Sequence, residues 1–228
     1  MIEKQVAAEY SVNFVEDGMI VGLGTGSTVE FMLKRLAERI KEGLNITAVS
    51  TSQATTKLAN SLGIKITKLA EIDEIDVTID GADEIDQRLD GIKGGGGSLL
   101  HEKIIASLSK KNIWIVDSTK MVQTLGKFPL PVEVVKFGYT QLCVKLENIG
   151  IKPVLRMNKN TPFITDENNY IIDLKIDNIP NVAALDAKLK SFAGVVETGL
   201  FYGIVDTVVV GTGKTIKIFN KKKRVQTN

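Results

Sequence analysis

Met19-Ile20-Val21-Gly22-Leu23, followed by Gly24-Thr25-Gly26-Ser27-Thr28 and then VEFMLKRLAERI through Ile40, is the stretch that decides the fold. The opening run is short and apolar, as a buried strand requires, and the closing one has the apolar spacing of a helix. Strand, glycine turn and helix in that order set backbone amides and hydroxyls at a helix N-terminus, the usual way to hold a phosphate. A tight turn with a Ser or Thr N-cap explains GTGST equally well on its own. It is not a nucleotide motif. A dinucleotide fingerprint needs a third glycine where Ser27 stands and an acidic residue after the next strand, where Ser50 and Thr51 occur. A P-loop needs Gly-Lys before the hydroxyl residue, and none is present.

Working outward, EKQVAAEYSVNFV before this unit reads as helix. After it, the strand NITAVS feeds a second hydroxyl-rich turn, Thr51-Ser52-Gln53-Ala54-Thr55, and the helix TTKLANSLG. IKITKL and IDVTID read as further strands, and NIWIVDSTK as another that ends in Asp117 and Lys120. Short strands alternating with helices predict an α/β fold: a Rossmann-like parallel sheet with helices on both faces, its ligands beyond the carboxyl ends of the strands. Beyond Phe128-Pro129-Leu130-Pro131 the order becomes strand, helix, strand, strand, helix, strand, through VEVVKF, YTQLCVKLENIG, KPVLRM, YIIDLKI, NVAALDAKLKSF and GVVETGLF. That order predicts a smaller ferredoxin-like α+β domain over 128–203, with 1–127 and 204–228 forming the catalytic domain. The smaller domain shows no cluster of catalytic residues, and serves as an oligomer contact or a lid.

Three stretches at the predicted strand ends carry candidate chemistry. In Lys93-Gly94-Gly95-Gly96-Gly97-Ser98-Leu99-Leu100-His101-Glu102-Lys103, four glycines remove every side chain between a ligand and the backbone. The helix that starts behind them turns unpaired amides toward the same space, where an anion fits. The alternative, a flexible linker, lacks the flanking polar tract. In Asp80-Gly81-Ala82-Asp83-Glu84-Ile85-Asp86, the spacing fails the calcium-loop pattern. The glycine there lets Asp80 and Asp83 turn to one side toward sugar hydroxyls, unless the run is only an acidic surface turn. Lys120 can reach the same cavity, or it is an ordinary exposed lysine.

Composition narrows the classes. The chain has 228 residues, 43% of them apolar, and a net charge of +2 with both signs interspersed, which argues against a nucleic-acid partner. The basic cluster Lys221 to Arg224 reads as a solvated tail. No apolar run is long enough to span a bilayer and the N-terminus lacks signal-peptide character, so the expected location is the cytoplasm. The single cysteine, Cys143, is expected to be a buried apolar thiol. The single histidine, His101, leaves acid–base work mainly to carboxylates and lysines.

Together, GLGTGSTVEF, STSQATTKLA, DVTIDGADEID, KGGGGSLLHEKIIA, VDSTKMVQTLGKFPLPVEV and VVETGLF closely resemble the type A ribose-5-phosphate isomerases, in order and spacing, from near the N-terminus to about residue 211. The resemblance implies an enzyme that interconverts D-ribose 5-phosphate and D-ribulose 5-phosphate, an aldose-ketose isomerase of the non-oxidative pentose phosphate pathway. It implies no metal and no organic cofactor, a phosphorylated pentose as the small-molecule partner, no membrane, and a homodimer or homotetramer. Glu102 matches the catalytic base, with Asp80 assisting ring opening and Lys93 meeting the developing charge. Thr25, Gly26, Ser27 and Thr28, then Asp80, Gly81, Ala82 and Asp83, then Lys93, Gly94, Gly95 and Gly96, and Lys120, match substrate-binding segments. Lys4 matches a position that helps hold the phosphate. His101 departs from the arginine usual in relatives. On this reading the amides of Gly94 to Gly97 and the Lys93 ammonium face an enediolate oxygen, and, once substrate excludes water, desolvation of Glu102 outweighs the helix N-terminus that would weaken it as a base. A non-catalytic sugar-phosphate sensor and an acyl-CoA transferase with a nucleophilic glutamate are the rival readings.

Overall fold

The computed structural model describes residues 1–221. Six strands form the main sheet: β1 (Ile20–Leu23), β2 (Thr47–Ser50), β3 (Ile75–Asp80), β6 (Ser109–Asp117), β14 (Thr207–Thr212) and β15 (Thr215–Asn220). Their order is β15-β14-β6-β3-β1-β2, parallel throughout except for the β14–β15 hairpin. Side-chain alternation in β6 sends Ile113 and Ile115 to one core and Trp114 and Val116 to another. Helices α1 (Ile2–Ser11) and α2 (Val29–Lys41) close the first face, and α4 (Leu99–Ser107) closes the second, where Ile105 meets Ile75 and Val49. The helix α3 (Gln53–Ser61) follows β2 and starts at Ser52, whose side chain accepts a hydrogen bond from the Thr55 amide at 3.0 Å. The α/β reading therefore holds, with one correction. IKITKL is not a strand: only Ile66 bridges, to Ala48, because its lysines lie at the solvated sheet edge and a 3-10 turn begins at Leu69.

The second sheet, β12-β7-β11-β8, is antiparallel and comprises β7 (Leu130–Val134), β8 (Lys152–Leu155), β11 (Tyr170–Lys175) and β12 (Val195–Thr198). The helices α5 (Tyr139–Asn148) and α6 (Val182–Lys190) cover it around a separate apolar core. This is the expected α+β arrangement. Cys143 is half-buried against that core rather than enclosed by it. Two small pieces have no signal in the sequence pattern, because each strand is only a dipeptide. One is the sheet β13-β5-β4, from β4 (Glu84–Ile85), β5 (Gly91–Ile92) and β13 (Leu200–Phe201). The other is a hairpin of β9 (Met157–Asn158) and β10 (Thr161–Pro162). No helix among the described residues is long and apolar enough to cross a membrane. The basic cluster expected to be a solvated tail lies, past Lys221, outside the described residues.

The strand order fixes where a ligand can enter. From β1 the chain moves to β2 on one side, then returns to place β3 on the other, so the connections diverge between β1 and β3. A crevice opens above the carboxyl ends at such a point.

Candidate active site

The two turns that border the crevice approach each other closely. The Gly24 amide donates to Ile79 O at 2.9 Å, and a Cβ on Gly24 would lie 2.1 Å from Asp80 Oδ1. Only glycine fits there. The Thr25 hydroxyl is held by Thr51 Oγ1 at 2.7 Å and Ser52 Oγ at 2.9 Å, so the second hydroxyl-rich turn supports the first rather than forming a site of its own. At the start of α2 no side chain caps the helix, and the amides of Gly26, Ser27, Thr28 and Val29 have no hydrogen-bond partner among the described residues. Four open donors at the positive end of a helix suit an anion. Lys4 reaches across from α1, with Nζ 2.9 Å from Ser27 Oγ.

Lys120 arrives from the far side, on the 3-10 turn Ser118–Lys120 after β6. Glu3 pins that turn: Oε2 accepts from Ser118 N at 3.0 Å and Ser118 Oγ at 2.7 Å, while Oε1 accepts from Gly213 N at 2.9 Å. These hydrogen bonds, from Gly213 and Ser118, hold the Glu3 carboxyl below its ordinary value. One end of α1 thus carries both a cleft-lining lysine and the anchor for the turn that bears another.

Between these cations lies a cleft of about 510 Å³ of empty space, open to solvent. It is lined by Lys4, Thr25 to Thr28, Gly81 to Asp83, Lys93 to Gly96, Glu102 and Lys120. Every sequence-predicted site residue lines it except Asp80. That side chain is 2% exposed and stands behind the wall, where Oδ1 accepts from the amides of Thr25 at 3.0 Å and Gly81 at 2.7 Å. Its Oδ2 lies 2.9 Å from Lys93 Nζ. His101 points elsewhere, to Glu167 Oε1 at 2.7 Å, so the departure from the usual arginine does not touch the cleft.

At the floor, Lys93 is shared by two buried carboxyls, Asp80 at 2.9 Å and Glu102 at 3.3 Å. Burial works to lower the Lys93 ammonium, but the charges of Asp80 and Glu102 outweigh it and lift it to about 12. Glu102 lies in the first turn of α4 and is 3% exposed. Its Oε2, although near Lys93, is the buried side-chain oxygen left without a hydrogen bond among the described residues. Burial pushes the Glu102 carboxyl up, to about 8; Lys93 opposes that rise, and Asp80 and Asp83 add to it.

The glycine run differs from expectation in its amides. Gly95 N donates to Asp83 Oδ2 at 2.8 Å and Gly97 N closes a turn on Gly94 O at 2.9 Å, so these two are already paired. The amides of Gly94 and Gly96 remain without partners among the described residues. The segment around the antiparallel sheet, expected to carry no cluster of catalytic residues, supplies the other side of the loop. Arg156 Nη1 donates to Gly94 O at 2.8 Å and Gly95 O at 3.1 Å, and Phe163 packs where a Cβ on Gly97 would clash at 2.4 Å. No local pattern marks Arg156; its partners lie across the chain. Among the described residues no group of three or more His, Cys, Asp or Glu side chains is placed to hold a metal ion.

The arrangement sets unpartnered amides and two lysines at one end, and a buried carboxyl beside a lysine and two free amides at the other. Comparison with known proteins agrees with that chemistry. Residues 47–215 match the family model for ribose 5-phosphate isomerase A (phosphoriboisomerase A). The ribose-5-phosphate isomerase A of Streptococcus thermophilus is 51% identical over 96% of this chain and 98% of its own, and that of Lacticaseibacillus paracasei 54% identical over 92% of each. A solved D-ribose-5-phosphate isomerase in complex with phospho-erythronic acid superposes with a TM-score of 0.91 at 39% identity, over 95% of this chain and 97% of that one. The ribose 5-phosphate isomerase A of Methanocaldococcus jannaschii gives 0.90 at 38% identity, over 96% and 98%.

Proposed function

The chain belongs to the ribose 5-phosphate isomerase A family, and from that premise we infer how its own residues carry the reaction. The enzyme interconverts D-ribose 5-phosphate and D-ribulose 5-phosphate. The phosphate sits at the open amides of Gly26 to Val29, between Lys4 and Lys120. Held there, the pentose lays its reacting carbons toward Lys93 and Glu102, and remote binding energy orients them. Glu102 takes the proton from C2 of the open-chain aldose and returns it to C1, while a proton passes from O2 to O1. The enediolate formed between these steps meets the Lys93 ammonium and the amides of Gly94 and Gly96. Asp80 holds Lys93 in place and Asp83 lies beside the sugar.

The observation that carries this reading is the buried Oε2 of Glu102 at the cleft floor, which faces the Lys93 ammonium at 3.3 Å but accepts no hydrogen bond among the described residues. A carboxylate that gives up more hydration than its one lysine contact restores is a stronger base. We further propose that the enzyme works in the cytoplasm in the non-oxidative pentose phosphate pathway, as a homodimer or homotetramer. We also propose that residues 128–203 form a domain distinct from 1–127 and 204–228.

A coupled assay of ribulose 5-phosphate formation, wild type beside Glu102→Gln, tests the assignment. Turnover falls by about 10²–10⁴-fold, the range for a positioned general base, while ribose 5-phosphate still binds. Retention of more than about a tenth of the activity would mean that another group is the base.

A further inference from the structure

Within the glycine run, only the turn that Gly97 N closes on Gly94 O holds the chain in shape. Four residues without side chains lose more freedom on ordering than any others, and two of their amides are needed pointing into the cleft. Further restraint comes from outside the loop, from Arg156, between β8 and β9. Its own backbone is fixed on both sides: the amide donates to Ile171 O at 2.9 Å and the carbonyl accepts from Phe163 N at 2.9 Å. Asp173 takes one edge of the guanidinium, with Nε at 2.9 Å from Oδ2 and Nη2 at 2.5 Å from Oδ1. The remaining nitrogen, Nη1, donates to two successive carbonyls, Gly94 and Gly95.

Those two bonds dictate where the next amides point. A trans peptide is planar, with its C=O and N–H antiparallel. With Gly94 O turned to Arg156, the Gly95 amide must face away, and it does so, onto Asp83. With Gly95 O turned the same way, the Gly96 amide also faces away from Arg156; it has no partner among the described residues, and Gly96 lines the cleft. We propose that Arg156, braced by Asp173, is a positioning residue for catalysis: it sets the Gly96 amide in the direction that receives the enediolate oxygen.

This rests on the isomerase reading of the cleft, and the test keeps the two apart. The design matters because a lysine cannot replace the arginine. An ammonium on a flexible stem is a point charge, whereas the fork grips a carboxylate with one edge and two carbonyls with the other. Wild type, Arg156→Lys and Arg156→Met are compared for kcat, KM, inhibition by phospho-erythronic acid and thermal melting. In both variants kcat falls by about 10–10²-fold, as for a misplacement near 1 Å, while KM stays within about threefold because the phosphate site is untouched. Inhibition by phospho-erythronic acid, whose carboxylate stands in for the enediolate, weakens along with kcat. Free guanidinium ion added to Arg156→Ala restores part of kcat. Should Arg156→Met fail to fold, Arg156→Lys and the rescue decide. Arg156→Lys with wild-type kcat, a loss confined to KM, or inhibition unchanged while kcat falls would each overturn the proposal and leave the isomerase reading intact. A wild type without ribose 5-phosphate isomerase activity would overturn both.

Discussion

Glu102 and Lys103 are neighbours on α4, yet they belong to two buried charge clusters of opposite character. Both clusters set a lysine over the Phe201 ring, Lys93 at 5.4 Å and Lys103 at 4.6 Å from its centre. In the cluster of Lys103 every group is satisfied. Lys103 Nζ donates to Glu197 Oε1 at 2.8 Å and Thr198 O at 2.7 Å; Lys190 Nζ lies 2.8 Å from Glu197 Oε1 and 3.2 Å from Asp186 Oδ2; and the Thr198 hydroxyl donates to Asp186. Burial works to raise the Glu197 carboxyl, but Lys103 and Lys190 outweigh it and hold it below its ordinary value. In the cluster of Lys93 one oxygen is left over, and its carboxyl is pushed up instead. Charge saturation joins α4 to β12 and α6 on one side; incomplete hydrogen bonding leaves the carboxyl proposed as the base at the cleft on the other.

The largest effect that can sharpen this contrast is at Lys93. Lys93→Met removes the cation shared by Asp80 and Glu102 and, with it, the donor proposed for the enediolate. The loss in kcat is about 10²–10³-fold, as for removal of one such donor, with a smaller rise in KM. The folded protein also weakens by about 3–5 kcal/mol, the usual cost of breaking a buried pair, and part of this returns at acid pH as the stranded carboxyls take up protons. Steady-state kinetics beside melting curves at two pH values measure both. A change in KM alone would remove Lys93 from the transition state.

Lys103→Met is the matching experiment on the saturated side. It strips Glu197 of one of two lysines and costs about 2–4 kcal/mol in denaturant unfolding, since the pair is mostly buried. The kcat of the folded fraction stays within about threefold of wild type, because no atom of this cluster lines the cleft. A tenfold loss in that fraction would show that the two clusters act as one unit.

How far the sequence could foresee these clusters depends on the reach of its local patterns. Thr25 to Thr28, Gly81 to Asp83, Lys93 to Gly96 and Glu102 lie at turns whose glycines and flanking periodicity announce a strand end or helix start, so their placement was legible. So was the α/β alternation, apart from IKITKL, where an apolar alternation at the sheet edge makes one bridge instead of a strand. Glu3 and Arg156 were not legible, because their partners lie 115 and 62 residues away and neither residue belongs to a turn motif. Asp80 was legible as a site residue but not in its position. Only the strand pairing that brings it behind Thr25 and under Lys93 reveals that both of its oxygens are already engaged.

The raised Glu102 carboxyl gives the contrast a pH signature. In the folded protein this group keeps its proton up to about 8, whereas unfolded it loses it near 4.5. Between those values the folded state binds the additional proton, so stability falls as pH rises through the window. Activity runs the opposite way, since the base must be ionised: kcat/KM climbs by about tenfold per pH unit below the pKa and levels above it. Glu102→Gln therefore melts higher than wild type at pH 9 and shows a flatter dependence of melting temperature on pH. A wild-type profile already level at pH 6 would place the free base in its ordinary range and dissolve the distinction between the clusters.

The smallest effect belongs to the exposed end of the cleft, where water rather than protein surrounds the charge. Lys4 contacts Ser27 Oγ at 2.9 Å on the surface, beside the open amides of α2. Exposed charges contribute about 0.2–1 kcal/mol and are screened over roughly 8 Å at physiological salt. Lys4→Met should thus raise KM for ribose 5-phosphate by about two- to fivefold at low ionic strength, leave kcat nearly unchanged, and lose most of its effect in about 0.5 M salt. Lys93→Met, shielded from solvent, keeps its defect at every salt concentration. If both variants respond to salt alike, the cleft floor is wetter than its burial indicates, and the burial of Glu102 no longer explains the strength of the proposed base.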